Sequence, residues 1–74
     1  MITMEELESF SYDEYTGVLE IGKYNTVYFV DSITGNDYVV HIDSVNLIDF
    51  FWKKVKINAF ISGQNIFIQR VKLI

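Results

Sequence analysis

Apolar and polar residues alternate along most of the chain from residue 15 onward, and turn-forming residues interrupt the alternation about every eight to twelve positions. Alternation with a period of two residues is typical of strands that bury one face, and turns at this spacing are typical of small barrels and sandwiches. The pattern predicts strands at residues 15–22, 25–31, 36–43, 54–61 and 65–73. We therefore expect a domain built almost entirely from β-strands.

The turn between the second and third predicted strands carries the clearest local signal. Gly35 fits the left-handed position of a three-residue hairpin loop, and Ser32 would then face Asn36 across the hairpin. In this register Phe29 and His41 lie on the same face. Both faces of the hairpin are apolar, as expected where strands are covered on two sides or carry a binding surface.

The alternation stops after residue 43, and residues 44–52 instead place Val45, Ile48 and Phe51 or Trp52 at helical spacing. This pattern predicts a two-turn helix, capped by the polar residues at positions 43 and 44. Because so short a helix is not stable alone, we expect it to plug an apolar opening.

The last two predicted strands form a hairpin around the turn at residues 62–65. The apolar positions of the final strand change phase between Ile68 and Val71, which predicts a β-bulge near Gln69 and Arg70. Phe60 is expected to lie opposite Phe67 beside the turn.

The order of these elements, three strands, a short helix and a two-stranded hairpin, resembles the OB-fold. The segments that carry the resemblance are YFVDSITGNDYVVHI and SVNLIDFFWKKVKINAFISGQNIFIQRVKL, and they are similar to small single-domain bacterial or phage proteins of that fold. The resemblance covers residues 15–74 and implies a five-stranded Greek-key barrel with the helix between strands three and four. It also implies binding along strands two and three, between the loops at residues 22–25 and 62–65. An SH3-like barrel is the alternative architecture.

Composition agrees with one compact domain. The 74 residues are 50% hydrophobic and 16% aromatic, which excludes an intrinsically disordered chain, and there is no cysteine for disulfides or thiol chemistry. No apolar run approaches the length of a membrane helix, so we expect a cytoplasmic protein, or one of the host cytoplasm if it is phage-encoded. Within the single domain, residues 1–14 form an acidic arm or short helix and residues 15–74 form the barrel.

Charge is segregated along the chain although its net value is only −4. Residues 1–22 contain acids and no base, and residues 53–74 contain bases and no acid. The two ends are expected to pack beside each other as complementary charged surfaces. Alternatively, the acidic segment is a surface that mimics nucleic acid, as in phage-encoded inhibitors; its residues are Glu5, Glu6, Glu8, Asp13 and Glu14.

Aromatic side chains interleaved with cations are the pattern that single-strand binders use, because rings stack on bases while cations meet phosphates. The candidate binding residues are Tyr24, Val27, Phe29, His41, Phe60, Phe67, Lys54, Lys56 and Arg70.

No catalytic constellation emerges. His41, Asp43 and Ser44 lie too close in sequence to define a triad, and Asp31 and Asp37 flank a turn where carboxylates usually accept backbone hydrogen bonds. We expect no enzyme activity, no metal and no small-molecule cofactor.

The predicted function is that of a small binding module that acts through a protein partner or through self-association, with edge pairing as one route. The alternative is a domain that binds single-stranded nucleic acid.

Overall fold

The computed structural model describes residues 12–42 and 46–74. It contains five strands: β1 (Asp13–Ile21), β2 (Val27–Asp31), β3 (Asp37–His41), β4 (Lys54–Ser62) and β5 (Asn65–Leu73). A single 3₁₀ turn at Lys23–Asn25 is the only helical element in these two ranges, where no helix is long and apolar enough to span a membrane. The five predicted strands are therefore confirmed, each to within two residues at either end. The predicted N-terminal arm lies largely outside the described residues.

The strands form one sheet that closes into a ring in the order β1-β2-β3-β5-β4, with β4 returning to β1. All neighbouring strands are antiparallel except β3 and β5, which are parallel. Each of the five described strands thus has a partner on both sides. Edge pairing, which we considered as a route to self-association, has no free strand in this part of the chain.

The interior of the ring is filled by the inward residues of each strand. Leu19 and Phe29 from β1 and β2 are fully buried, as are Val55 and Ile57 of β4 and Ile66 of β5. Alternation along the strands sends the intervening residues outward, so the outer face of β4 and β5 is free to carry polar, charged and aromatic side chains.

The register of the β2–β3 hairpin differs from the prediction by one residue. Phe29 pairs with Tyr38, and the backbone N–H of Asp31 donates to the carbonyl of Asn36 at 2.9 Å. The loop therefore has four residues rather than three, because the Asp31 carboxylate accepts hydrogen bonds from the backbone of Ile33 and Thr34. A one-residue shift exchanges the two faces of a strand, so Phe29 points into the core while His41 points outward.

The helix predicted at residues 44–52 does not form over the described part, residues 46–52. Two turns occupy this segment, with hydrogen bonds from the backbone of Phe50 to Leu47 and of Lys53 to Phe50. The Asn46 side chain accepts from the backbone of Ile48, which competes with helical hydrogen bonding. Phe51 instead forms a parallel bridge with Leu19. The plug predicted for this segment comes from Leu47, which is buried in the core.

Candidate binding surfaces

The outer face of the β4–β5 hairpin is divided into a cationic half and an aromatic half. Along the ladder, Lys56 pairs with Lys72 and Asn58 with Arg70. Beyond the bulge, Phe60 pairs with Phe67, as the sequence predicts. We call these two adjoining parts the cationic half and the aromatic half of the outer hairpin face.

A β-bulge positions the cations. The ladder passes from the Asn58–Arg70 pair to the Ala59–Ile68 pair, which leaves Gln69 as the extra residue on β5. This confirms the bulge predicted from the change of phase. Without the extra residue, strict alternation from Ile68 would turn Arg70 toward the interior.

Two cations face each other in the cationic half, and little negative charge lies nearby to offset their repulsion. Lys56 and Lys72 are directly opposite, and cross-strand pairs of like charge are destabilising. Glu14 on β1 approaches Lys56, with 3.9 Å between Oε2 and Nζ. The Lys56 side chain is 39% and the Glu14 side chain 66% exposed, so this ion pair contributes little to stability. Within the described ranges, Arg70 and Lys72 form no ion pair.

A groove of about 240 Å³ lies in the cationic half, lined by Glu14, Lys56, Asn58, Arg70 and Lys72 together with the backbone neighbours Ile57 and Val71. The side-chain oxygen of Asn58 is buried there and has no hydrogen-bond partner among the described residues. The groove therefore offers cationic donors, which suit an anionic ligand.

The aromatic half is a stack that crosses three strands. Phe67 lies between two parallel neighbours, Phe60 and His41, with ring centroids 4.8 Å apart on each side. Tyr12 meets the other side of Phe60 edge-on at 5.6 Å. A groove of about 290 Å³ runs beside the stack. Since both faces of Phe67 are covered, a planar ligand has access to the far face of His41 and not to the centre of the stack.

The parallel pairing of β3 with β5 brings His41 to this stack. His41 lies opposite Phe67 in the ladder, and its Nε2 atom is 2.9 Å from the side-chain oxygen of Asn65. This contact orients the imidazole while its outer face stays exposed.

Of the other predicted binding residues, the structure places Phe29, Val27 and Tyr24 away from this surface and Lys54 beside it. Phe29 is fully buried and Val27 packs against the core, so neither shares the face of His41, which corrects the predicted grouping. Tyr24 is 96% exposed but follows β1 at the opposite end of the ring from the β4–β5 turn. Lys54 begins β4, one outward position beyond Lys56.

The structure describes some of the predicted acidic residues, whereas others lie outside the described ranges. Asp13 and Glu14 are exposed at the start of β1, beside β4, and the approach of Glu14 to Lys56 is a contact of the complementary kind we predicted. Glu5, Glu6 and Glu8 lie outside the described residues, as do Asp43 and Ser44 of the dismissed triad. Asp31 is a turn former, as expected, since its carboxylate accepts from the backbone of the loop.

A second surface, which the sequence pattern did not indicate, lies at the end of the ring where β1 ends and β4 begins. Five of the eight large hydrophobic side chains that are exposed in the described ranges belong to it: Ile21, Tyr24, Trp52, Leu73 and Ile74. We call this surface the apolar end. The run of three aromatic residues at positions 50–52 was the available signal. Of the residues on the buried stripe of the predicted helix, Phe51 does pack against the core, whereas Ile48 and Trp52 are exposed.

Ladder pairs and backbone hydrogen bonds bring these residues to one end. Trp52 donates its backbone N–H to Leu19 at 2.8 Å, and Ile74 donates to the carbonyl of Lys54. Leu73 pairs with Val55.

Comparison with protein-family models, with curated proteins and with solved structures found no match for this chain.

Proposed function

We propose that this chain is a non-enzymatic binding module with an OB-like barrel, and that its outer hairpin face binds single-stranded nucleic acid. The observation that carries the proposal is the cross-strand pair Lys56–Lys72, with Arg70 beside it, on the two strands that also carry Phe60 and Phe67 of the aromatic stack. Cations next to exposed rings are what single-strand binders require.

The strand order supports the OB-like architecture. Three consecutive strands, β1 to β3, are neighbours, and β4 returns by a long connection to lie beside β1, which is the spatial order of a Greek key. The turns at residues 46–53 depart from the helix that the OB-fold resemblance implies at this place.

The charge pattern supports an anionic ligand. The free chain holds Lys56 against Lys72 at a cost in stability, and a phosphate between them would remove that repulsion.

The aromatic half supports a stacked base at one place. His41, the only histidine of the chain, is exposed, and among the described residues only one face of its ring is stacked, on Phe67. The contact with Asn65 and the stacking on Phe67 orient the ring.

The net charge of −4 limits the affinity, because the acids elsewhere repel phosphates at long range. With three to four cations on the face, we expect the logarithm of the association constant to fall by about 0.7 per phosphate for each decade of salt. Affinity for a mixed-sequence strand of about 16 nucleotides should therefore fall roughly 20- to 50-fold between about 50 and 200 mM salt.

A matched pair of variants tests whether the oligonucleotide binds at the cationic half of the outer hairpin face. Lys72→Gln should weaken binding at low salt and reduce the salt slope by about 0.7, because one phosphate contact is lost. Lys23→Gln changes the net charge equally but lies in the 3₁₀ turn away from this face, so it should leave the slope unchanged. Fluorescence anisotropy with a labelled oligonucleotide measures both.

His41→Ala tests the stacked base separately. We expect affinity to fall by about 1–3 kcal/mol with the salt slope retained, since stacking is lost and phosphate contacts remain.

Three outcomes contradict the proposal. No saturable binding at about 50 mM salt, where phosphate contacts are strongest, would exclude it. Equal losses in Lys72→Gln and Lys23→Gln would show that only net charge matters. Binding of poly-glutamate as tight as that of the oligonucleotide would assign the face to an acidic protein.

A further inference from the structure

The cations of the outer hairpin face are spaced along β5 like the phosphates of an extended strand. Arg70 and Lys72 are two residues apart and both exposed, which places them about 6–7 Å apart along the strand. Lys56 lies opposite Lys72, and all three cations line one groove. Neighbouring phosphates of a nucleic-acid strand are about 3.4 Å apart along the axis when its bases are stacked, and roughly twice as far apart when it is extended.

The aromatic stack offers a nucleotide base one position. Phe67 lies between Phe60 and His41, with ring centroids 4.8 Å apart on each side, and Tyr12 meets Phe60 edge-on. Among the described residues, no ring is stacked on the other face of His41, and this residue is exposed. His41 is therefore the end at which a base can extend the stack.

The cations and the outer face of His41 are separated by more than the length of one nucleotide. Lys56 and Phe60 are four residues apart on β4, which is about 13 Å along the strand. His41 lies on the strand next to Phe67, about 4.8 Å further across the sheet. The Lys56–Lys72 pair is thus roughly 15 Å from the outer face of His41. This span equals two to three steps of an extended strand, or about four steps of a stacked one.

We propose that the outer hairpin face binds one strand of about three to five nucleotides along this path, with phosphates at Lys56, Lys72 and Arg70 and a single base, at one end, on His41. The inference rests on the proposed nucleic-acid binding and adds the minimum length and the position of the ligand. Mononucleotides and dinucleotides are too short to reach both the Lys56–Lys72 pair and His41.

Affinity should therefore rise in a step as the ligand becomes long enough to bridge the two contacts, because the second contact is then intramolecular. Unlabelled oligothymidylates compete with a labelled strand of about 16 nucleotides in fluorescence anisotropy at about 50 mM salt. We expect the association constant to rise at least about tenfold from two to five nucleotides. From five to eight nucleotides it should rise less than about fourfold, which is the gain from the additional binding registers.

A strand with one abasic nucleotide separates stacking from charge, because it keeps every phosphate. In a pentathymidylate, removal of the base at one end should weaken binding at least about fivefold, and removal of the central base less than about twofold. In His41→Ala, the strand that lacks this end base and the complete strand should bind within about twofold of each other. Lys72→Gln is the matched control: it weakens both strands but should retain the difference between them, since the aromatic stack is unchanged.

Three results overturn the inference while the proposed function stands, provided that the strand of about 16 nucleotides binds. The first is a dinucleotide that competes within about threefold of the pentanucleotide. The second is a pentanucleotide in which all abasic positions, or none, weaken binding. The third is a loss at the end base that persists in His41→Ala. Absence of saturable binding by the long strand itself would contradict the proposed function, and the inference with it.

Discussion

Gly17 lies at a position in β1 where no side chain fits. A Cβ atom built there would meet the carbonyl oxygen of Val30 at 2.1 Å and the ring of Phe29 at 2.7 Å. Phe29 is fully buried, so its ring has no room to move away. The close approach of β1 to β2 therefore depends on the absence of a side chain at residue 17.

We expect Gly17→Ala to lower the free energy of unfolding by about 3 kcal/mol, because both neighbours would have to shift. Gly35→Ala is the control: its Cβ meets nothing within 4 Å, and only its φ of 77° disfavours alanine, at a cost of roughly 1–2 kcal/mol. Urea unfolding compares the two. A larger loss in Gly35→Ala would contradict the packing argument.

Tyr15 makes the stability of the fold depend on pH in the alkaline range. Burial raises the pKa of its phenol above the ordinary value of 10.0, and the nearby charges of Asp13 and Asp31 and the phenol of Tyr38 act in the same direction. The folded chain thus holds this proton more tightly than the unfolded chain does. The resulting stabilisation is complete below about pH 10 and is lost as the pH rises toward the folded-state pKa.

We therefore expect the unfolding free energy of Tyr15→Phe to fall less steeply above about pH 10 than that of the wild type. Urea unfolding at about pH 8 and at about pH 10.5 gives the comparison, and the difference between the two proteins at the lower pH serves as the baseline. Parallel decreases in both proteins would show that Tyr15 does not carry this dependence.

At the scale of the elements, alternation and turn residues were enough to locate all five strands and the bulge in β5. They were not enough to set the register of the β2–β3 hairpin, because loop length depends on the side chain of Asp31 and not on Gly35 alone. Helical spacing at residues 44–52 was misleading, since the core takes Leu47 and the backbone of Trp52 bonds to β1. Tertiary contacts override so short a local pattern.

The hairpin loop gives a test of this explanation. Asp31→Ala should lower the unfolding free energy by about 1–3 kcal/mol, because the backbone N–H groups of Ile33 and Thr34 lose their shared acceptor. Asp31→Asn keeps a side-chain oxygen in place and should lose less than half as much. Thermal unfolding of the two variants ranks them, and equal losses would show that charge, not the accepted hydrogen bonds, is what matters.

At the scale of the whole molecule, the sequence pattern located only the hairpin part of the candidate surface, and it wrongly grouped the buried Phe29 with His41. The Phe60–Phe67 pair and the nearby cations follow from the hairpin pattern of residues 54–73. The parallel pairing that adds His41 to the stack is a contact between distant strands, which local alternation does not encode. For the same reason, the apolar end, assembled from β1, two connections and the end of β5, emerges only in three dimensions.

Closure of the ring also determines when the chain is able to fold during its synthesis. The pairing of Tyr15 with Ile57, and of His41 with Phe67, joins segments that leave the ribosome at well-separated times. Until β5 has emerged, β3 and β4 each lack a neighbour, so the nascent chain exposes unpaired strand edges. Non-local pairing of this kind slows folding to milliseconds or longer in small β proteins. The interval before β5 appears is therefore the time at which the chain most needs protection from aggregation.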